Sequence, residues 1–150
     1  MSGLRQPPAK GYTLIELLIV VLIVSLLSLI AIPNLMSAAR RSRYSRAAAD
    51  SKTATTQAMV YAGDRNVYPT SIQIMRDAGM SNVSDVDPWG ISYELSPTMT
   101  SGSVPGYGDD VYVYSKGPYG TGTFPSPFVL STGAGGSVGF SSVYGSWTGS

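Results

Sequence analysis

Residues 10–35 read KGYTLIELLIVVLIVSLLSLIAIPNL, and this stretch decides the fold. From Leu14 to Ile32 it is Leu, Ile and Val, interrupted only by Glu16, Ser25, Ser28 and Ala31. Such a run is apolar on every side, unlike a helix that lies on a soluble core. The 21 residues from Tyr12 to Ile32, at about 1.5 Å of rise each, make a helix roughly 30 Å long, the thickness of a bilayer's hydrocarbon core. Fifteen of them are Leu, Ile or Val, and together these favour insertion by about 5 to 9 kcal/mol. The one carboxylate, Glu16, lies near the end of the segment and opposes insertion by less than about 3 kcal/mol. Insertion is expected.

The remainder of the 150-residue chain leaves room for one small head. Ten Lys and Arg against nine Asp and Glu give a formal charge of +1, so no broad field draws in nucleic acid, and none is expected as a partner. Histidine and cysteine are absent, which removes the commonest general base, the thiol nucleophile, imidazole and thiolate metal ligands, and any disulfide. Enzymatic activity is not expected. The Gly133–Gly136 run GAGG is followed by neither Lys-Ser/Thr nor helix-forming sequence and reads as a flexible turn rather than a phosphate loop. Ten tyrosines without interleaved basic residues suit sheet packing and subunit contacts rather than base stacking.

A plain signal peptide or single anchor is the commonest source of such a segment. Here the leader ends in Lys10-Gly11, a carboxylate follows at Glu16, and Pro33 closes the run without a small-x-small cleavage site. On these residues the stretch resembles the N-termini of type IV prepilins and type II secretion pseudopilins. The resemblance implies that a prepilin peptidase/methyltransferase cuts between Gly11 and Tyr12 and methylates the new N-terminus, with Tyr12 in place of the family's usual phenylalanine. Glu16 is then the fifth residue of the mature chain. An acid in hydrocarbon needs a partner, and the N-terminus of a neighbouring subunit, shifted by about one helical turn, supplies an amine and a positive helix end. Such a pair sets axial register, the role proposed for the family's matching glutamate. Pro33 lacks a backbone donor and is expected to bend the rod, since Ala-rich sequence from Leu35 to Ala62 continues a helical composition. Arg40, Arg41, Arg43 and Arg46 outnumber Arg5, Lys10 and the amino terminus, and a count of positive charges alone puts the head in the cytoplasm. The resemblance implies the reverse, because processing needs Gly11 inside.

Beyond the arginines, Ala47, Ala54, Ala58 and Tyr61 fall on one helical face, with Gly63 as the expected stop. YPTSIQIMRDAGM, residues 68–80, predicts a short helix with Thr70 as N-cap, ending at Ala78 before Gly79. Alternation over Ile91–Leu95 and Val111–Ser115 predicts an antiparallel hairpin, and Phe128-Val129-Leu130 a third strand. The Gly and Ser-rich end from Gly133 reads equally as a mobile tail or as strand fragments. Tyr68-Pro69-Thr70, DPWG at 87–90 and YSKGPYG at 114–120 resemble the head of the major type II secretion pseudopilin. DPWG reads as a structural turn: Pro88 fixes the backbone, Gly90 frees it, Asp87 caps it, and Trp89 is expected beneath the sheet. In that pseudopilin the segment after the GP-x-G turn carries acidic side chains that bind calcium. Here Tyr119 replaces an aspartate and TGTFPSPF, residues 121–128, has no carboxylate. Calcium lacks its usual ligands; Asp109 and Asp110, before the strand, are the remaining candidates to hold it but read first as a solvated turn, so no cofactor or metal is expected, with calcium the alternative.

The expected organisation is a leader over 1–11, a transmembrane and filament-core helix over 12–33, its amphipathic continuation over 34–63, and a globular head over 64–150. The fold class is α+β: a pilin-like long hydrophobic helix packed against a small antiparallel β-sheet head. The expected function is structural, as a filament subunit most like a major pseudopilin of type II secretion. The alternative is a type IV pilus subunit on the cell surface. A monomeric membrane-anchored binding domain is the reading of a different class, and it needs neither Gly11-Tyr12 nor Glu16. The resemblance implies as partners further copies of the chain in a homopolymer, the peptidase, an inner-membrane assembly platform, minor pilins or pseudopilins, and the membrane itself. It implies a single-pass inner-membrane protein with its head outside the cytoplasm, later part of a periplasmic or surface filament.

Overall fold

A computed structural model describes residues 11–125 and 135–149. Helix α1, Leu14–Arg65, is 52 residues long and runs through Pro33. The chain divides into two units, Met1–Ala39 and Arg40–Ser150. In the first, the long aliphatic residues of α1 are exposed on every side of the helix. In the second, the C-terminal part of α1 buries Ala47, Ser51, Ala54, Thr55, Ala58 and Ala62, one narrow stripe at helical spacing. Small side chains let a sheet come close: Thr55 Oγ1 reaches the carbonyl of Phe140 at 3.2 Å. Gly63 does not end the helix. The left-handed residue that does is Asn66, at φ 53°, because Ala62 holds the last turn against the core and keeps Gly63 helical.

Helix α2, Ile72–Asp77, turns Ile72 and Met75 into that core. Its cap is Ser71, not Thr70: Ser71 has extended backbone and its Oγ accepts from Ile74 N at 3.2 Å. Gly79, at φ 71°, closes the other end as expected.

Four short strands follow: β1 Glu94–Leu95, β2 Tyr112–Ser115, β3 Val138–Ser141 and β4 Gly145–Thr148, with a one-turn helix α3, Pro97–Thr100, between the first two. They form an antiparallel meander in the order β1-β2-β3-β4. The expected hairpin is present, with Glu94 opposite Tyr114 and Leu95 opposite Val113. Its first arm is shorter than Ile91–Leu95 because the preceding residues pair elsewhere: Ser92 bridges Val86, and Tyr93 N donates to Asp85 O. The Gly-rich C-terminal sequence supplies β3 and β4, which rules out a tail over those residues. The expected strand at Phe128–Leu130 lies outside the described residues.

The sheet has two different faces. Toward α1 and α2, Val113 is buried with Ala54, Ala58, Met75 and Met99. On the other, Tyr112 stacks on Phe124 with ring centroids 4.0 Å apart, and Phe124 meets Trp147 edge-on at 5.3 Å. The buried indole of the sheet is therefore Trp147, whose Nε1 donates to Ser137 Oγ at 3.1 Å. Trp89 is only half-buried, set edge-on to Tyr44 of α1 at 4.9 Å rather than beneath the sheet.

Candidate assembly site

The first turn of α1 is built by Thr13 and Glu16. Glu16 Oε2 accepts from Thr13 N at 2.8 Å and from Thr13 Oγ1 at 3.0 Å, while Thr13 Oγ1 accepts from Glu16 N at 3.3 Å. This reciprocal arrangement is a capping box, which satisfies backbone donors that a helix start leaves open. Gly11 and Tyr12 precede it in non-helical chain, and Tyr12 is 89% exposed. Tyr12 stands directly before the acid's own cap. Thr13 was not singled out in the sequence, although the T-x-x-E spacing before an apolar run carries that signal.

Along the following turns the polar side chains are satisfied within the helix: Ser25 Oγ donates to Val21 O at 2.7 Å and Ser28 Oγ to Val24 O at 2.8 Å. What remains is aliphatic surface. Every Leu, Ile and Val from Leu14 to Ile30 is at least half exposed in the single chain, an area that water does not tolerate and that only lipid or other subunits can cover. Pro33 interrupts the backbone ladder at the end of this surface. Asn34 Nδ2, next to it, donates to Ile30 O at 3.1 Å.

The DPWG turn belongs to the second unit. Asp87 is buried; its Oδ1 accepts from Trp89 N and Ile91 N, each at 2.9 Å, and its Oδ2 from Ser115 Oγ at 2.6 Å. Gly90 has a φ of 85°, the backbone freedom the turn uses. Pro88 and Trp89 are half-buried. Asp109 accepts from Gly106 N at 2.7 Å within an exposed turn, whereas Asp110 accepts from Ser141 Oγ at 2.5 Å and so ties the approach to β2 to the end of β3. Among the described residues no three His, Cys, Asp or Glu come together as metal ligands do.

An apolar, N-capped helix continuing into a small antiparallel α+β head defines a pilin-like subunit. The comparisons agree with that class. The prokaryotic N-terminal methylation motif matches residues 7–32. The type II secretion system core protein G of Aeromonas hydrophila is 30% identical over 105 residues, 59% of this chain and 73% of that protein. Its counterpart in Pectobacterium carotovorum subsp. carotovorum is 27% identical over 135 residues, 79% of this chain and 80% of that protein. The type IV wide pilus major component PilA4 of Thermus thermophilus is 35% identical over 74 residues, 49% of this chain and 56% of that protein. No solved structure matches the chain with significance. The chain belongs to the type IV pilin-like family, close to its pseudopilins. It is a filament subunit most like a major pseudopilin.

Proposed function

We propose that the chain is made as a precursor, cut between Gly11 and Tyr12 by a prepilin peptidase, held in the inner membrane by residues 12–33 with its head outside the cytoplasm, and then polymerised into a periplasmic filament. The observation that carries this reading is the exposed aliphatic surface of α1, which is uncovered in one chain and needs first lipid and then neighbouring helices. The methylation motif at residues 7–32 supports the processing step. In the filament, Glu16 pairs with the freed amine of a neighbour's Tyr12 and sets the stagger between subunits. Mass spectrometry of the native protein tests this directly: the chain should begin at a methylated Tyr12, and one that keeps its first eleven residues and stays monomeric sinks the proposal.

The similarity to PilA4 favours a second reading, in which the same subunit forms a surface pilus. Imaging of material sheared from cells separates the two, since long surface fibres containing this chain belong to a pilus.

A further inference from the structure

The charges of this chain are unevenly settled. Its nine acids are all engaged internally. Four pair with cations: Asp50 with Arg46, Asp64 with Arg65, Asp85 with Arg76, and Glu94 with Lys116. The other five hold hydrogen bonds from Thr13, Gln73, Ser115, Gly106 and Ser141. Among the described residues, Arg40, Arg41 and Arg43 are left with no carboxylate in reach, and all three are exposed. They lie seven to ten residues after Pro33, where the apolar run ends, and occupy one turn of α1 just before its buried stripe begins at Ala47. Consecutive helical residues are offset by about 100°, so these guanidinium groups fan around the helix rather than line one face.

We propose that Arg40, Arg41 and Arg43 bind the headgroups of anionic phospholipids on the side of the bilayer from which the head projects. The inference rests on the membrane anchor of the proposed function. Guanidinium groups match phosphate oxygens in bidentate geometry, and long side chains next to an apolar segment reach the headgroup layer. A second copy of the chain is the competing partner for these arginines, but among the described residues its Glu16 is assigned to a neighbour's amine and its other eight acids already hold partners within their own head. The anionic lipid beside the anchor is the nearest supply of counter-charge. Lipid held in this way ties the base of the head to the membrane until the subunit is pulled into a filament.

The test uses the full chain in nanodiscs of equimolar phosphatidylglycerol and phosphatidylethanolamine, released gently into detergent, with retained lipids counted by native mass spectrometry. Each engaged arginine should enrich phosphatidylglycerol by about five-fold, and added salt should lower that enrichment. The triple variant Arg40→Gln, Arg41→Gln, Arg43→Gln should retain both lipids equally, whereas the triple Arg→Lys variant should keep most of the preference. Equal retention by the native chain overturns the inference, and so does an undiminished preference in the Gln variant. Loss of filaments with lipid preference intact assigns the arginines to a subunit contact and overturns it as well. A chain that binds lipid as expected but keeps residues 1–11 defeats the processing reading alone, and one that never enters the nanodisc defeats both.

Discussion

Ser115 Oγ donates a 2.6 Å hydrogen bond to Asp87 Oδ2, joining the end of β2 to a turn 28 residues earlier. The same hydroxyl accepts from Gly117 N at 2.9 Å, and the other carboxylate oxygen holds Trp89 N and Ile91 N. One buried acid thus fixes the DPWG turn, the exit of β2 and, through Gly117, the start of the GPYG turn. Asp87→Ala leaves three donors without their acceptor and should destabilise the head by about 2 to 4 kcal/mol; Ser115→Ala, which removes the bond to Asp87 and the bond from Gly117 N but keeps the turn's own two, should cost about 1 to 3 kcal/mol. Urea midpoints of the full chain in detergent measure both, and equal midpoints for Asp87→Ala and the native protein would refute the clamp.

Gly139 lies in the middle of β3 because nothing larger fits there. A Cβ at this position would stand 2.4 Å from Tyr114 Cβ, 2.6 Å from Trp147 Cζ2 and 2.7 Å from Val113 O. Gly139→Ala must push Trp147 out of its site or open the β2–β3 ladder, at about 1 to 3 kcal/mol or more. Trp147 is 1% exposed, so its displacement should shift tryptophan emission to longer wavelength as well as lower the urea midpoint. A variant with native emission and native midpoint would show that the sheet has slack at this point.

These two sites mark what the sequence does and does not disclose. Asp87, Pro88 and Gly90 are legible as a turn because Asx capping and a positive φ are local properties of four residues. Ser115 is not, since its partner is 28 residues away. Trp89 was expected beneath the sheet, but the buried indole is Trp147, within a Gly and Ser-rich segment whose composition resembles a tail. Tertiary pairing makes strands there: β3 lies against β2 and β4 against β3, with Gly139 opposite Trp147. The apolar run and its 3.6-residue successor stripe were readable because periodicity survives without tertiary context. Ser51 and Thr55 on that stripe were missed because they are polar by type, though small enough to be buried.

The head should lose stability as pH rises above about 10. Burial pushes the Tyr93 phenol well above its ordinary range, helped by the Asp50 carboxylate, to which its hydroxyl donates at 3.3 Å. Burial also raises Tyr68, Tyr112 and Tyr114. An unfolded tyrosine ionises near pH 10, so above that pH the unfolded chain holds fewer protons than the folded one and stability falls. Lys116, raised by its hydrogen bond to Glu94, acts in the same direction, its contribution being present below the unfolded lysine value and lost as pH climbs. Urea midpoints between pH 8 and pH 11 should decline, and Tyr93→Phe should flatten the decline. A pH-independent midpoint over that range, or a slope untouched by Tyr93→Phe, would contradict the assignment.

Glu16 has two roles to separate, the cap on its own helix and the proposed partner for a neighbour's amine. Within one chain its carboxylate serves Thr13 N and Thr13 Oγ1, the reciprocal arm of a capping box at the helix end. Losing that arm leaves the aliphatic run intact, so Glu16→Ala should still enter the membrane, yet it should form no filaments if the buried charge pair sets register. Glu16→Gln sharpens the distinction. The amide oxygen still accepts from Thr13 and keeps the cap, but it carries no charge to match an amine in hydrocarbon. Filament loss in both variants, read by electron microscopy of sheared or overexpressed material with membrane fractionation as control, assigns register to the charge. Filaments from Glu16→Gln but not from Glu16→Ala would reduce the residue to its cap, and filaments from both would remove it from assembly altogether.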